Sequence, residues 1–221
     1  MTPRWVVIAK VFVWAACLAP FAWVFIRAAG VAGTLGADPA MEILETFGKT
    51  ALNLLMLTLC ITPIRRSTGI NRLLSFRRLL GLFAFFYVVL HLLSYALLDL
   101  GVDQWAILLE DIAERPYITV GFTGLVLLIP LAATSTHAMQ RRLGRNWVKL
   151  HRLVYVVAVL GVVHYWWQVK LDIAGPLPYA VLVAILFAAR LIHARSVHTK
   201  AAVPPANQRV EPPEPHEKPS H

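Results

Sequence analysis

Charge is the scarcest property of this 221-residue chain. Only 15% of its residues are Asp, Glu, Lys or Arg, against about 25% in an ordinary soluble domain. Acids are rarer than bases, 12 against 21. With 58% hydrophobic residues and a mean hydropathy of +0.63, a soluble fold of this length is excluded: it has too little interior to hide that surface, so the bilayer must be the solvent. Cysteine is nearly absent too. Cys17 and Cys60 lie inside apolar segments, read as small buried hydrophobes and say nothing about redox compartment. Signature motifs are missing as well. There is no Cys-x-x-Cys-His for covalent haem, no nucleophile elbow and no glycine loop to cradle a phosphate. This excludes a nicotinamide- or flavin-binding domain on the chain.

The net charge of +9 and pI near 10.0 would fit a nucleic-acid binder. The distribution argues against it, because the basic residues form short clusters between apolar runs, as topology signals do. Six such runs are each near the roughly 20 residues a spanning helix needs: Trp5–Ile26, Glu45–Ile64, Leu79–Leu98, Tyr117–Thr134, Trp147–Trp167 and Leu177–His193. The first is too long for the apolar core of a signal peptide, holds Trp14, Pro20 and Trp23, and lacks a clear cleavage site. The expected fold is all-α: a polytopic bundle of six transmembrane helices over residues 1–195, with no internal repeat evident. Residues 196–221 carry six prolines among Glu, Lys and His, and are expected to form a disordered tail.

Loop charges set the orientation. Arg65, Arg66, Arg72, Arg77 and Arg78 separate segments two and three; Arg141, Arg142, Arg145 and Lys149 separate four and five. The loop after segment three is acidic, with Asp99, Asp103, Glu110, Asp111 and Glu114 against Arg115. Between five and six stand only Lys170 and Asp172. The positive-inside rule then places both termini in the cytoplasm. Within the acidic loop, Gly101–Pro116 reads equally as a short amphipathic surface helix or as a solvated loop.

Three histidines stand out against this background, since ionisable groups inside a membrane are costly and usually functional. His91 lies 12 residues into segment three, about 18 Å along a helix, and His164 lies about 21–25 Å along segment five. The two imidazoles therefore share a level, and two neutral imidazoles from facing helices are what a low-spin b-type haem iron needs on its two faces. The competing reading of either residue is a histidine hydrogen-bonded between helices.

His151 sits at the inner end of segment five, about 20 Å below His164. That spacing suits a second haem level or a separate inner site. The positions that would supply its partner on segment three are Arg77 and Arg78. On an ideal helix the two histidines of segment five face about 220° apart. A π-bulge near Gly161 would align them; otherwise His151 only hydrogen-bonds a propionate or a neighbouring helix. Arg77 and Arg78 themselves read either as contacts to propionates or a cofactor phosphate, or as anchors in the lipid headgroups. Trp105, Trp166, Trp167 and Tyr117 read as an outer aromatic belt. Gly81, Gly121 and Gly124 read as sites of close helix approach.

Several strings carry a family resemblance: Arg77-Arg-Leu-Leu-Gly81 with His91, Glu114-Arg-Pro-Tyr117, Leu131-Ala-Ala-Thr-Ser135, and Leu143-Gly-Arg-Asn-Trp147-Val-Lys-Leu-His151-Arg-Leu-Val-Tyr155 followed by His164-Tyr-Trp. Together, over residues 5–195, they resemble the MsrQ (YedZ) family within the ferric-reductase-like transmembrane group. The resemblance implies a non-catalytic electron-transfer subunit with b haem and FMN. Its electrons would come from the quinone pool or a cytosolic flavin reductase. They would pass to MsrP, a periplasmic molybdopterin enzyme that repairs oxidised methionines in envelope proteins. It also implies that His91, His151 and His164 are the haem histidines. Rival readings are a stand-alone ferric or oxygen reductase and a non-redox membrane scaffold.

Overall fold

A computed structural model describes residues 4–169 and 172–202 of the chain. The described residues form nine α-helices: α1 (Arg4–Ala28), α2 (Pro39–Thr68), α3 (Leu74–Ser94), α4 (Trp105–Glu114), α5 (Pro116–Ala133), α6 (His137–Leu143), α7 (Arg145–His151), α8 (Leu153–Gln168) and α9 (Leu177–Ala202). A 3-10 turn, Asn71–Leu73, precedes α3, and a π-helical turn, Tyr95–Asp99, extends it. Five stretches are long and apolar enough to cross a membrane, and the apolar part of α9, Leu177–His193, is a shorter sixth. All six expected segments are therefore present as helix. The chain divides into two compact units, 1–186 and 187–221; the first contains everything described below. The part of the tail expected to be disordered that follows Ala202 lies outside the described residues.

The elements begin and end where local chemistry directs. At the start of α2, Pro39 follows Asp38, whose carboxylate accepts from the Met41 backbone N–H at 3.0 Å. Capping of this kind satisfies one of the orphan donors of a first helical turn. The helix stops at Gly69, whose φ of 71° lets its N–H return to Arg65 O. On the opposite, acidic side, Arg27 pairs with Glu42, and the second oxygen of Glu42 accepts from Gly36 N–H at 2.7 Å, drawing the α1–α2 loop onto α2. The loop that admitted two readings contains a helix, α4. Its Leu108 and Asp111 are buried, while Trp105, Leu109, Glu110 and Glu114 are exposed.

Two tight helix pairs organise the bundle, α2 with α3 and α5 with α8. Both run from the acidic side to the basic side and back. Against the first pair lies α1, with only Val6, Cys17 and Val24 buried along its length. Phe12 is 70% exposed and Phe25 59%, as apolar side chains facing lipid would be.

One buried side chain holds α1 in place. Pro20 interrupts the α1 backbone ladder. The Tyr87 hydroxyl, with its side chain fully buried, fills the gap. It donates to Cys17 O at 2.6 Å and accepts from Phe21 N–H at 3.1 Å, a pair that would otherwise bond to each other in an unbroken helix. Phe47 and Phe86 pack on the Tyr87 ring, and Phe21 packs on Phe47 and Phe86 in turn. Tyr87→Phe keeps this packing but strands two backbone groups away from water. Because such orphans cost about 1–3 kcal/mol each, the variant is expected to melt several degrees lower in detergent. Differential scanning fluorimetry checks this, and an unchanged midpoint would mean that α1 re-forms its own bond.

Candidate functional site

Between the two helix pairs lies a cavity of about 430 Å³, within the range of small-ligand and cofactor pockets. Its walls are mostly apolar, among them Leu55, Leu92, Leu128 and Val157, and its acidic-side rim carries Lys49, Arg115 and Gln168. His91 from α3 and His164 from α8 face each other across it, with ring centroids 6.0 Å apart and planes at 84°. The equal depth expected from the sequence is thus matched by contact distance.

Each imidazole is tied by one nitrogen. His91 Nδ1 lies 2.9 Å from Leu44 O, and His164 Nδ1 lies 2.6 Å from Tyr117 O. A carbonyl can only accept, so the proton of each neutral ring sits on Nδ1, and Nε2 is left with a bare lone pair. A metal-binding histidine is typically oriented in this way: the far nitrogen donates to a carbonyl, which fixes the tautomer and raises the basicity of the ligating nitrogen.

Glycine makes both contacts possible. Along a helix each Cβ leans toward the N-terminus, so the residue four positions on overhangs a given carbonyl. Gly48 follows Leu44 by four residues and Gly121 follows Tyr117 by four. A Cβ on Gly48 would lie 2.9 Å from His91 Nδ1, and one on Gly121 only 2.7 Å from His164 Nδ1. Neither is tolerable unless the ring moves. The Tyr117 ring stacks on His164 at 6.3 Å and 29°.

These equivalences are systematic. Each histidine follows its carbonyl partner by 47 residues. A single offset of 73 residues relates Leu44 to Tyr117, Gly48 to Gly121 and His91 to His164. The expectation of no internal repeat is therefore corrected at the level of structure. The α2–α3 and α5–α8 pairs carry the same carbonyl, glycine and histidine arrangement, and their other side chains hide it in the sequence. Nothing local in the sequence marks Leu44 or Gly48; the equal intervals are the signal that singles them out.

His151 is not part of this cluster. It ends α7, stacked on Trp147 at 4.0 Å, with Nδ1 3.2 Å from Trp147 O. Trp147 in turn donates from Nε1 to Thr134 O at 2.9 Å, tying α7 to the end of α5. The irregularity expected near Gly161 lies elsewhere: α8 is continuous there, and the break falls at Arg152, immediately after His151. Neither Arg77 nor Arg78 lines the histidine cavity. Arg77 is close enough to His151 to act on it electrostatically, and Arg78 borders a cleft against α1.

The donor set points to a particular kind of ligand. Among the described residues no three His, Cys, Asp or Glu converge, whereas a bare transition-metal ion takes three or four such side chains. Two opposed imidazoles suit an iron whose other positions a macrocycle fills. The two ring centroids stand 6.0 Å apart, close enough for His91 and His164 to share one such ion. The residues fit a haem.

Comparison with known proteins points the same way. The family model described as "Ferric reductase like transmembrane component" matches residues 47–162, a span that includes Gly48, His91, Gly121 and His151 and ends two residues before His164. The chain is 48% identical over 212 residues to the "Protein-methionine-sulfoxide reductase heme-binding subunit MsrQ" of Xanthomonas campestris pv. campestris strain 8004, covering 92% of this chain and 97% of that protein. The protein of the same description from Xanthomonas axonopodis pv. citri is 46% identical over 207 residues, covering 90% and 94%. The one from Ralstonia nicotianae is 48% identical over 185 residues, covering 82% and 84%.

At the acidic rim, buried Asp111 of α4 accepts from the Tyr95 hydroxyl and pairs with Arg115 Nε at 2.8 Å. Tyr95 and Arg115 both line the cavity, so α4 is pinned to its mouth. Asp111→Ala removes the acceptor of Tyr95 and is expected to cost about 1–3 kcal/mol. Hydrogen exchange should then quicken across Trp105–Glu114 while α2 and α3 stay protected; equal protection in both proteins would show that α4 is held by its apolar face alone.

Proposed function

This chain belongs to the MsrQ family of haem-binding subunits of the methionine sulfoxide reductase system, multi-pass membrane proteins of the ferric-reductase-like kind, and from that premise we propose that it carries electrons through b haem to a periplasmic catalytic partner. The observation that carries the proposal is the opposed pair His91 and His164, each with Nδ1 committed to a carbonyl and Nε2 free to bind iron. Bound haem supplies a one-electron carrier. The protein's part is to hold the iron from both sides, exclude water with Leu55, Leu92, Leu128 and Val157, and keep both ligands neutral.

The sidedness of the proposal follows the charges. The basic end faces the cytoplasm, with both chain termini, and electrons come from the quinone pool, in its quinol form, or from a cytosolic flavin reductase. The acidic end faces the periplasm, where α4 offers Glu110 and Glu114, and the turn before it Asp103, to an MsrP-like molybdopterin enzyme. The subunit itself binds no methionine sulfoxide. His151, near Arg77, is assigned to an inner haem level, with Arg77 as the contact to an acidic group of that haem. FMN, which the family resemblance adds, is not needed for this reading, and no described residue is assigned to it.

The test begins with the purified protein. A Soret band and a dithionite-reducible α-band are expected, and their absence would end the electron-transfer reading in favour of a scaffold. Reduction of a soluble periplasmic reductase by the reduced protein is expected; reduction of ferric iron or oxygen alone would favour a stand-alone enzyme. His91→Ala and His164→Ala should each lose the haem held between α3 and α8. Gly48→Ala and Gly121→Ala should lower its occupancy or convert it to a high-spin spectrum, because each added methyl displaces a ligand ring. Full low-spin haem in all four variants would reject the pairing.

For His151→Ala the measurement is the haem-to-protein ratio by pyridine haemochrome. A lower ratio than wild type is expected with the His91–His164 spectrum intact. An unchanged ratio would reduce His151 to its stacking on Trp147.

A further inference from the structure

A second cleft, of about 530 Å³, opens between α1 and α3 at the basic end, apart from the histidine cavity. Its polar groups are Lys10, Ser75 and Arg78; deeper along the same two helices lie Val11, Trp14 and Leu82. Neither Lys10 nor Arg78 joins an ion pair among the described residues, and no carboxylate or imidazole lines the cleft. The Ser75 hydroxyl is buried without a hydrogen-bond partner, one of two such side-chain atoms among the described residues. Buried polar atoms are nearly always satisfied, so an orphan on a residue that lines a cleft is a place to look for an absent oxygen.

The chemistry is one-sided. Two cations and a hydroxyl donor converge with no acidic acceptor, which selects a ligand rich in anionic oxygen. On α3 Ser75 and Arg78 precede Leu79 and Leu82, and on α1 Lys10 lies between Val7 and the deeper Val11 and Trp14, an order that suits an amphiphile with its head toward the basic end. A quinol is a poor fit: its oxidation releases two protons with two electrons, and no group lining the cleft can take a proton. Because α1 buries so few of its own residues, an occupant would also supply packing that the helix lacks.

We propose that this cleft binds an anionic phospholipid, its phosphate between Lys10 and Arg78 within reach of the Ser75 hydroxyl, and its chains along Val11, Trp14 and Leu82. Basic pockets between membrane helices on the positive side recognise lipid headgroups in this way, each cation near an anionic surface contributing about a fivefold gain in occupancy. The site stands independently of the haem reading.

The test compares the full-length protein with Ser75→Ala and with Lys10→Gln/Arg78→Gln, all delipidated in mild detergent. Thermal midpoints are followed against phosphatidylglycerol, phosphatidylcholine, inorganic phosphate and ubiquinone. Phosphatidylglycerol should raise the wild-type midpoint. The concentration for half the effect should rise on the order of tenfold or more in the double variant, and a few-fold in Ser75→Ala, which also serves if the double variant does not fold. Haem absorbance should be equal in wild type and variants, so failure here is separable from failure of the haem assignment. An equal response to phosphatidylcholine, to inorganic phosphate alone or to ubiquinone, or an unchanged response in the variants, would overturn the proposal.

Discussion

Inside a bilayer a backbone carbonyl has few partners to choose from, and two of them here, Leu44 O and Tyr117 O, accept from an imidazole as well as belonging to a helix. Much of the cavity's design follows from those two bonds. They decide which nitrogen of each ring carries the proton, which direction the other points and how closely α2 must approach α3, and α5 approach α8. A glycine is required at the next turn of each carbonyl helix, because a methyl group would occupy the volume of the ring. The bonds also answer the central energetic objection to a histidine in a membrane. A neutral ring with its N–H satisfied avoids both the charge and the unpaired donor that make such a residue expensive.

Much of this was legible in the sequence, and what was legible depended on the range of the interaction. Helix positions were readable because a bilayer imposes a length and an apolar composition on every spanning segment. The shared depth of His91 and His164 was readable because rise per residue is nearly constant. The acidic loop was ambiguous because its pattern is too short for periodicity to decide; burial of Leu108 and Asp111 against the rest of the fold decides it as α4. Gly48 was invisible for a different reason. Its role depends on what packs against it from another helix, and nothing local distinguishes it from glycines such as Gly81, whose nearest neighbour would be 3.8 Å from an added Cβ. The break at Arg152 was equally hidden, since no proline or glycine marks it.

Tyr87 shows a related kind of long-range dependence. Pro20 alone reads as a defect in α1, and Tyr87 alone as a polar residue stranded in an apolar helix. Only together do they make sense, the hydroxyl replacing the bond that the bent ladder has lost. The Tyr95–Asp111–Arg115 cluster works similarly at the acidic rim, where a residue of α4 satisfies groups on two other segments. In both places a few polar groups join separate helices and hold their apolar surfaces in register.

The duplicated device has an implication for how the protein is made. Residues 39–94 complete one half, carbonyl, glycine and histidine included, before any of the other half leaves the ribosome. The second histidine arrives only with α8, near the end of the chain's membrane portion. A nascent chain emerges N-terminus first, so the early half can present one imidazole but never two. On the proposed haem reading, capture of an iron from both sides would therefore be a late event in biogenesis, fastening two hairpins inserted one after the other.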